Sequence, residues 1–229
     1  MRRHAALVRL QLVLVARGHR FVLPLTAYVI AMGLVFAPPV APTLRAYGAA
    51  AALLHPLGAW LAIVMLGAES PQQRDAVAAA GGSTTAAWTA RLVGVVLVLC
   101  LVAVGTAVLP AAAGVFARPP TPATVAAAAA AMVLAALPGG ALGALCSSAF
   151  VPSGGWRFAA CSSALLLTVP LTTAEPVRHV APPGLAMVRF FDVASVPGPA
   201  AWWSIAVLPA LASCAAMLAA LAYLIRRLP

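Results

Sequence analysis

The sequence predicts an all-α integral membrane protein: six transmembrane helices, an N-terminal interfacial amphipathic helix, and both N and C termini in the cytoplasm. Three observations carry that expectation. Six long apolar runs fill the chain, its composition is 64% hydrophobic and only 8% charged, and its arginines sort unequally between the connections. With a mean hydropathy of +1.04, a soluble domain of 229 residues would lack the charge to cover its surface. A bilayer core needs about 20 apolar residues per helix, and inside it every backbone polar group must be satisfied within its own segment. The whole chain, 1–229, reads as a single transmembrane domain.

Residues 1–20 come first, as a cationic segment. On a helix, Arg2, Arg9, Arg17 and Arg20 fall within roughly 80° of one another, while Leu7, Val8, Leu12, Leu14 and Val15 take most of the remaining surface. Such a helix lies in the membrane interface with its apolar side against the acyl boundary. A signal peptide fits poorly, because Arg17 and Arg20 interrupt any hydrophobic region. The expected spans then follow as Phe21–Val40, Ala46–Ala68, Leu92–Ala117, Ala123–Phe150, Phe158–Ala174 and Ala200–Ile225.

Between the second and third spans lies the most informative polar segment, residues 69–91. Ser70 at an N-cap, Pro71 at the first helical position and Gln73 closing a capping box predict a helix start. Ala76 to Ala80 supply helix propensity, and Gly81-Gly82 end the helix. Ser83 or Thr84 then caps a second helical stretch that leads through Trp88 and Arg91 into the third span. A capped helix of this kind is more than a minimal connection needs.

The fourth span is built from small residues. Gly139 and Gly143 form a Gly-x-x-x-Gly beside Pro138, the pattern that lets membrane helices approach closely, within the chain or between copies. The turn-rich stretch between the fourth and fifth spans makes those two spans adjacent and antiparallel. Residues 175–199 hold an apolar stretch too short to span, bracketed by proline and glycine, and predict an external, partly re-entrant segment. Trp202 and Trp203 are expected to anchor the outer interface, and Trp88 and Trp156 the inner one.

Orientation follows from the basic residues. Ten arginines fall on the side of the termini and four (Arg45, Arg118, Arg178, Arg189) on the other. Positive residues near span ends stay in the cytoplasm, which sets the termini inside. The net charge of +10 does not point to nucleic acid, since the arginines lie on two faces of a membrane and form no single patch. Topology and anionic membrane lipid account for it better.

The chain has no lysine, and that excludes a standard P-loop and Schiff-base chemistry. The four acids, Glu69, Asp75, Glu175 and Asp192, fall in connections or at span ends, so no intramembrane proton relay is visible. His55 alone among titratable groups lies within a span, where it reads as a packing residue. Cys100, Cys146, Cys161 and Cys214 lack metal-ligand spacing and read as small hydrophobes. No catalytic residues, metal site or cofactor are expected on this chain.

These features together resemble the membrane-spanning (permease) subunits of type-2 ABC exporters, which carry drugs, lipids and polysaccharides outward. The resemblance covers the whole chain as a pattern: interfacial helix, six spans, capped helix after the second span, and re-entrant segment before the last. It implies that Glu69, Ser70, Pro71, Gln72, Gln73, Arg74 and Asp75 form the contact that couples to a separate ATPase subunit. Family members often carry a denser Arg-Glu run there, whereas here only Arg74 and Asp75 follow Glu69 as charges. It further implies ATP and Mg bound in that partner, pairing with a second copy or a related six-span subunit, a hydrophobic or amphipathic cargo, and a multi-pass location in the bacterial cytoplasmic membrane. Two other readings stay open on sequence: a non-transporting membrane scaffold or assembly factor, and a membrane-embedded lipid-modifying enzyme.

Overall fold

The computed structural model describes residues 2–37, 43–147, 150–151, 153–171 and 207–226. Among them the chain forms eight helices and no strand. They are α1 (Arg2–Gly18), α2 (Val22–Val35), α3 (Thr43–Leu66), α4 (Pro71–Gly81), α5 (Thr84–Ala112), α6 (Pro122–Leu145), α7 (Gly154–Leu171) and α8 (Leu208–Arg226). Three of these, α3, α5 and α6, are long and apolar enough to cross a membrane, and a fourth crossing is added if α1 and α2, bent by 76°, are one broken span. The architecture is that of an all-helical membrane protein. The re-entrant segment expected over 175–199, together with Trp202 and Trp203, lies outside the described residues.

Helix ends follow local chemistry more closely than hydropathy does. The first span was expected to reach Val40, but its helix stops at Val35. The third stops at Ala112 rather than Ala117, where Gly114 takes a left-handed φ of 67°. The fourth ends at Leu145 instead of Phe150 and starts at Pro122, with the Thr121 hydroxyl accepting from the Thr124 amide at 3.2 Å. Hydropathy counts apolar residues in turns as if they were helix, so each window runs several residues long.

α3 is the central element, with two thirds of its most apolar window buried (67%), against 28% for α5. Its partner α6 approaches through small residues. A Cβ added to Gly139 would overlap the His55 carbonyl, and one added to Gly143 the Ala59 carbonyl. On the facing side, a Cβ on Gly58 would come within 2.6 Å of the Ala136 carbonyl oxygen. Gly139 and Gly143 thus pack inside the chain, backbone against backbone, where dispersion across a close contact replaces the hydrophobic drive that lipid removes. His55, buried between the helices, joins them further through Nδ1 and the Ala135 carbonyl at 3.1 Å.

The outer face of α5 is continuous hydrocarbon. Val93, Leu97, Leu101, Val104 and Val108 are exposed at helical spacing. In water such a stripe would be an aggregation surface, and in a bilayer it is the lipid-facing side. At the end of the bundle away from α4, the rings of Phe36, Tyr47 and Phe116 meet with centroids 5.3–6.2 Å apart. There the Tyr47 hydroxyl donates to the Ala107 carbonyl at 3.0 Å.

Gly143→Ala and Gly139→Ala should each force α3 and α6 apart and cost about 1–3 kcal/mol. That would appear as a fall of about 5 °C or more in the thermal midpoint in detergent. Gly33→Ala, which meets nothing within 4 Å, should leave the midpoint unchanged.

Candidate functional site: the α4 end of the bundle

α4 begins as its residues dictate. The Ser70 hydroxyl accepts from the Gln73 amide at 3.2 Å, and the Gln73 side chain accepts from the Ser70 amide at 2.9 Å, a complete capping box with Pro71 at the first position. Gly82 closes the helix at φ 80°, a left-handed conformation that a side chain disfavours. Ser83 then caps α5 by accepting from Ala86 at 3.1 Å. Both caps sit where the sequence put them, and α5 runs unbroken from Thr84 through Trp88 and Arg91 into the apolar stretch.

At the root of α4 the polar chemistry is internal. Glu69 and Arg91 form an ion pair with their side chains 3% and 6% exposed. The Arg91 guanidinium also lies over the Trp88 ring, 5.5 Å from its centroid, and Trp88 stacks on Phe150 at 6.0 Å. Next to it, buried Gln11 of α1 donates to the Met65 carbonyl in the last turn of α3 at 2.9 Å. Its Cγ lies 3.6 Å from where a Cβ on Gly94 would stand. Arg20 Nη1 donates to the Gly67 carbonyl at 3.2 Å. Carbonyls that α3 leaves open at its C-terminal end are thereby taken up by side chains from the α1–α2 corner, and the loop leading to α4 is held from several sides.

The seven residues expected at the ATPase contact divide into two sets. Glu69 faces inward and is committed to Arg91. Arg74 is half-buried, its Nε without a hydrogen-bond partner among the described residues. Ser70, Gln72, Gln73 and Asp75 are exposed, with Ser70 and Gln73 engaged in the cap, so Gln72 and Asp75 are the polar side chains α4 offers outward. Arg91, Gln11 and Trp88 are the residues that sequence reasoning missed as parts of one cluster. Trp88, expected as an interface anchor, is instead buried beneath Phe150, whereas Trp156 is 73% exposed. The signal for Gln11 was present as a lone amide on the apolar side of α1. The Glu69–Arg91 pairing carried no local signal across its 22 residues.

Among the described residues, no three His, Cys, Asp or Glu side chains converge to hold a metal ion. Cys146 and Cys161 are buried with Ala59 and Ile63 where α3, α6 and α7 meet, as packing residues. No protein-family model, curated protein or solved structure matches this chain.

Removing one member of a buried pair strands the other charge, which typically costs about 3–5 kcal/mol, whereas replacing both by apolar groups is often near neutral. Glu69→Ala should therefore destabilise strongly in a thermal melt, and Glu69→Leu combined with Arg91→Met should recover most of the loss. Equal losses in the single and double variants would mean that the pair is not what holds this end.

Proposed function

We propose that the chain is the membrane-spanning subunit of an ATP-driven type-2 ABC exporter, moving a hydrophobic or amphipathic substrate outward while a separate subunit binds Mg and hydrolyses ATP. The observation that carries this reading is α4. An eleven-residue helix, capped at both ends, projects Gln72 and Asp75 outward while its root is tied to α5 through a buried ion pair. A connection needs neither the caps nor the pair to join two spans. A lever that receives force from a partner needs both, since displacement of α4 must reach α3 and α5 without being lost in a loose loop.

On this reading α2, α3, α5, α6, α7 and α8 are the six crossings, α1 lies in the interface, and α4 faces the cytoplasm of a bacterial cell with both termini. The sharp bend between α1 and α2 and the ten-to-four bias of the arginines support that topology. The absence of lysine supports a partner ATPase, because this chain cannot supply the P-loop lysine itself. Pairing with a second copy or a related six-span subunit completes the transporter. The chain then contributes no bond-breaking chemistry, only a path and a coupling surface.

Tagged protein purified in mild detergent should bring down a P-loop ATPase in stoichiometric amount. Gln72→Glu combined with Asp75→Arg, both on the exposed face of α4, should release it without impairing membrane insertion. A clean preparation with no ATPase, or full ATPase retention in the double variant, would overturn the assignment.

A further inference from the structure

Three residues at helix ends meet on the α4 side of the bundle. Arg20 sits at the α1–α2 corner, next to His19 with its left-handed φ of 52°. Gly67 follows the last turn of α3, and Arg157 lies in the first turn of α7. Arg20 Nη1 donates to the Gly67 carbonyl at 3.2 Å. Arg157 Nε donates to the Val151 carbonyl at 2.8 Å, and a Cβ added to Gly67 would lie 3.8 Å from Arg157 Nη1. Two guanidiniums from different elements thus converge on one glycine. Of the two acids among the described residues, Glu69 is taken by Arg91 and Asp75 points outward on α4.

Below the arginines runs an apolar groove. A cavity of about 300 Å³ between α3 and α7 is lined by Pro56, Trp60 and Ile63 on one side and Phe158, Cys161 and Leu165 on the other. On α3 the positions 56, 60, 63 and 67 recur at helical spacing, so that stripe ends at Gly67. On α7 the positions 158, 161 and 165 do the same, beginning beside Arg157. The Trp60 and Phe158 rings meet edge-on at 6.4 Å, so both stripes share the charged end. Trp156, exposed beside Arg157, has the amphipathic character of a residue at headgroup level.

A groove of hydrocarbon headed by paired arginines matches one kind of molecule. Its acyl chain would lie along the cavity, and its phosphate would accept from guanidinium forks, which suit phosphate oxygens better than an ammonium does. Basic pockets between membrane helices on the cytoplasmic side hold anionic headgroups in this manner. We infer that the α3–α7 groove is a binding site for an anionic phospholipid, its phosphate held between Arg20 and Arg157. The site goes beyond the transport reading and does not need it, since a scaffold with these helices would carry the same groove.

Native mass spectrometry of the full chain, with phosphatidylglycerol or phosphatidylcholine of identical acyl chains added, tests the site. The wild type should retain phosphatidylglycerol about tenfold better, the discrimination expected of two charge-assisted contacts. Arg20→Gln with Arg157→Gln should abolish that preference. Arg9→Gln with Arg17→Gln, which removes the same charge from exposed positions on α1, should preserve it. Ser162→Trp, at an exposed position on the groove wall, should reduce retention of both lipids with the arginines intact. Equal retention of the two lipids by the wild type would overturn the inference, as would equal losses in the two arginine pairs or no effect of Ser162→Trp. Displacement of the lipid by millimolar inorganic phosphate would also overturn it, marking a soluble-anion site instead.

Discussion

The buried ion pair between Glu69 and Arg91 is the constraint around which one end of this molecule is arranged. A carboxylate and a guanidinium withdrawn from water cannot stand apart without a large desolvation cost. Wherever Glu69 goes, Arg91 must follow, and with it the first turns of α5. That single requirement fixes how far the chain between α3 and α5 can wander. It also explains why α4 behaves as a bracket between two membrane helices: its caps set its length, and the pair sets its root. Gln11, Arg20, Trp88 and Phe150 then close around the same point, each meeting a backbone carbonyl or a ring that would otherwise be poorly covered.

The two halves of the bundle are held by different physics. Between α3 and α6 the contact is nearly all backbone, with Gly58, Gly139 and Gly143 removing the side chains that would separate the helices. Interfaces of that kind depend on shape and tolerate little change in volume. The α4 end is held by charge and hydrogen bonds, and the opposite end by packed rings of Phe36, Tyr47 and Phe116. A rigid middle with a polar anchor at one end suits a body that moves as a unit when α4 is displaced. The same anchor region supplies the arginines that head the α3–α7 groove, so lipid occupancy and the seat of α4 share one set of backbone carbonyls.

What was legible in the sequence was local. Ser70, Gln73 and Gly82 announce a helix start and stop within a few residues, and the structure has the capping box and left-handed cap they require. Gly139 and Gly143 announced a close helix contact, though not which helix they would meet. The Glu69–Arg91 pair was illegible because nothing in the intervening 22 residues says that the two charges share a buried site. Arg91 read equally well as one more topogenic arginine. Trp88 read as an interface anchor for the same reason, since its burial depends on Phe150 returning from a distant loop. Span ends were misjudged where apolar residues continue past a helix into a turn, as after Val35, Ala112 and Leu145.

The central claim is that α4 is fixed to the membrane helices and does not hang from a flexible loop. Amide hydrogen exchange of the wild-type protein in lipid nanodiscs measures this directly. The account predicts that the amides of α4 beyond its first turn exchange as slowly as those of Ala87 to Arg91 in α5, because both belong to one cooperative unit. Exchange across α4 at the rate of an unstructured peptide, with α5 still protected, would contradict it.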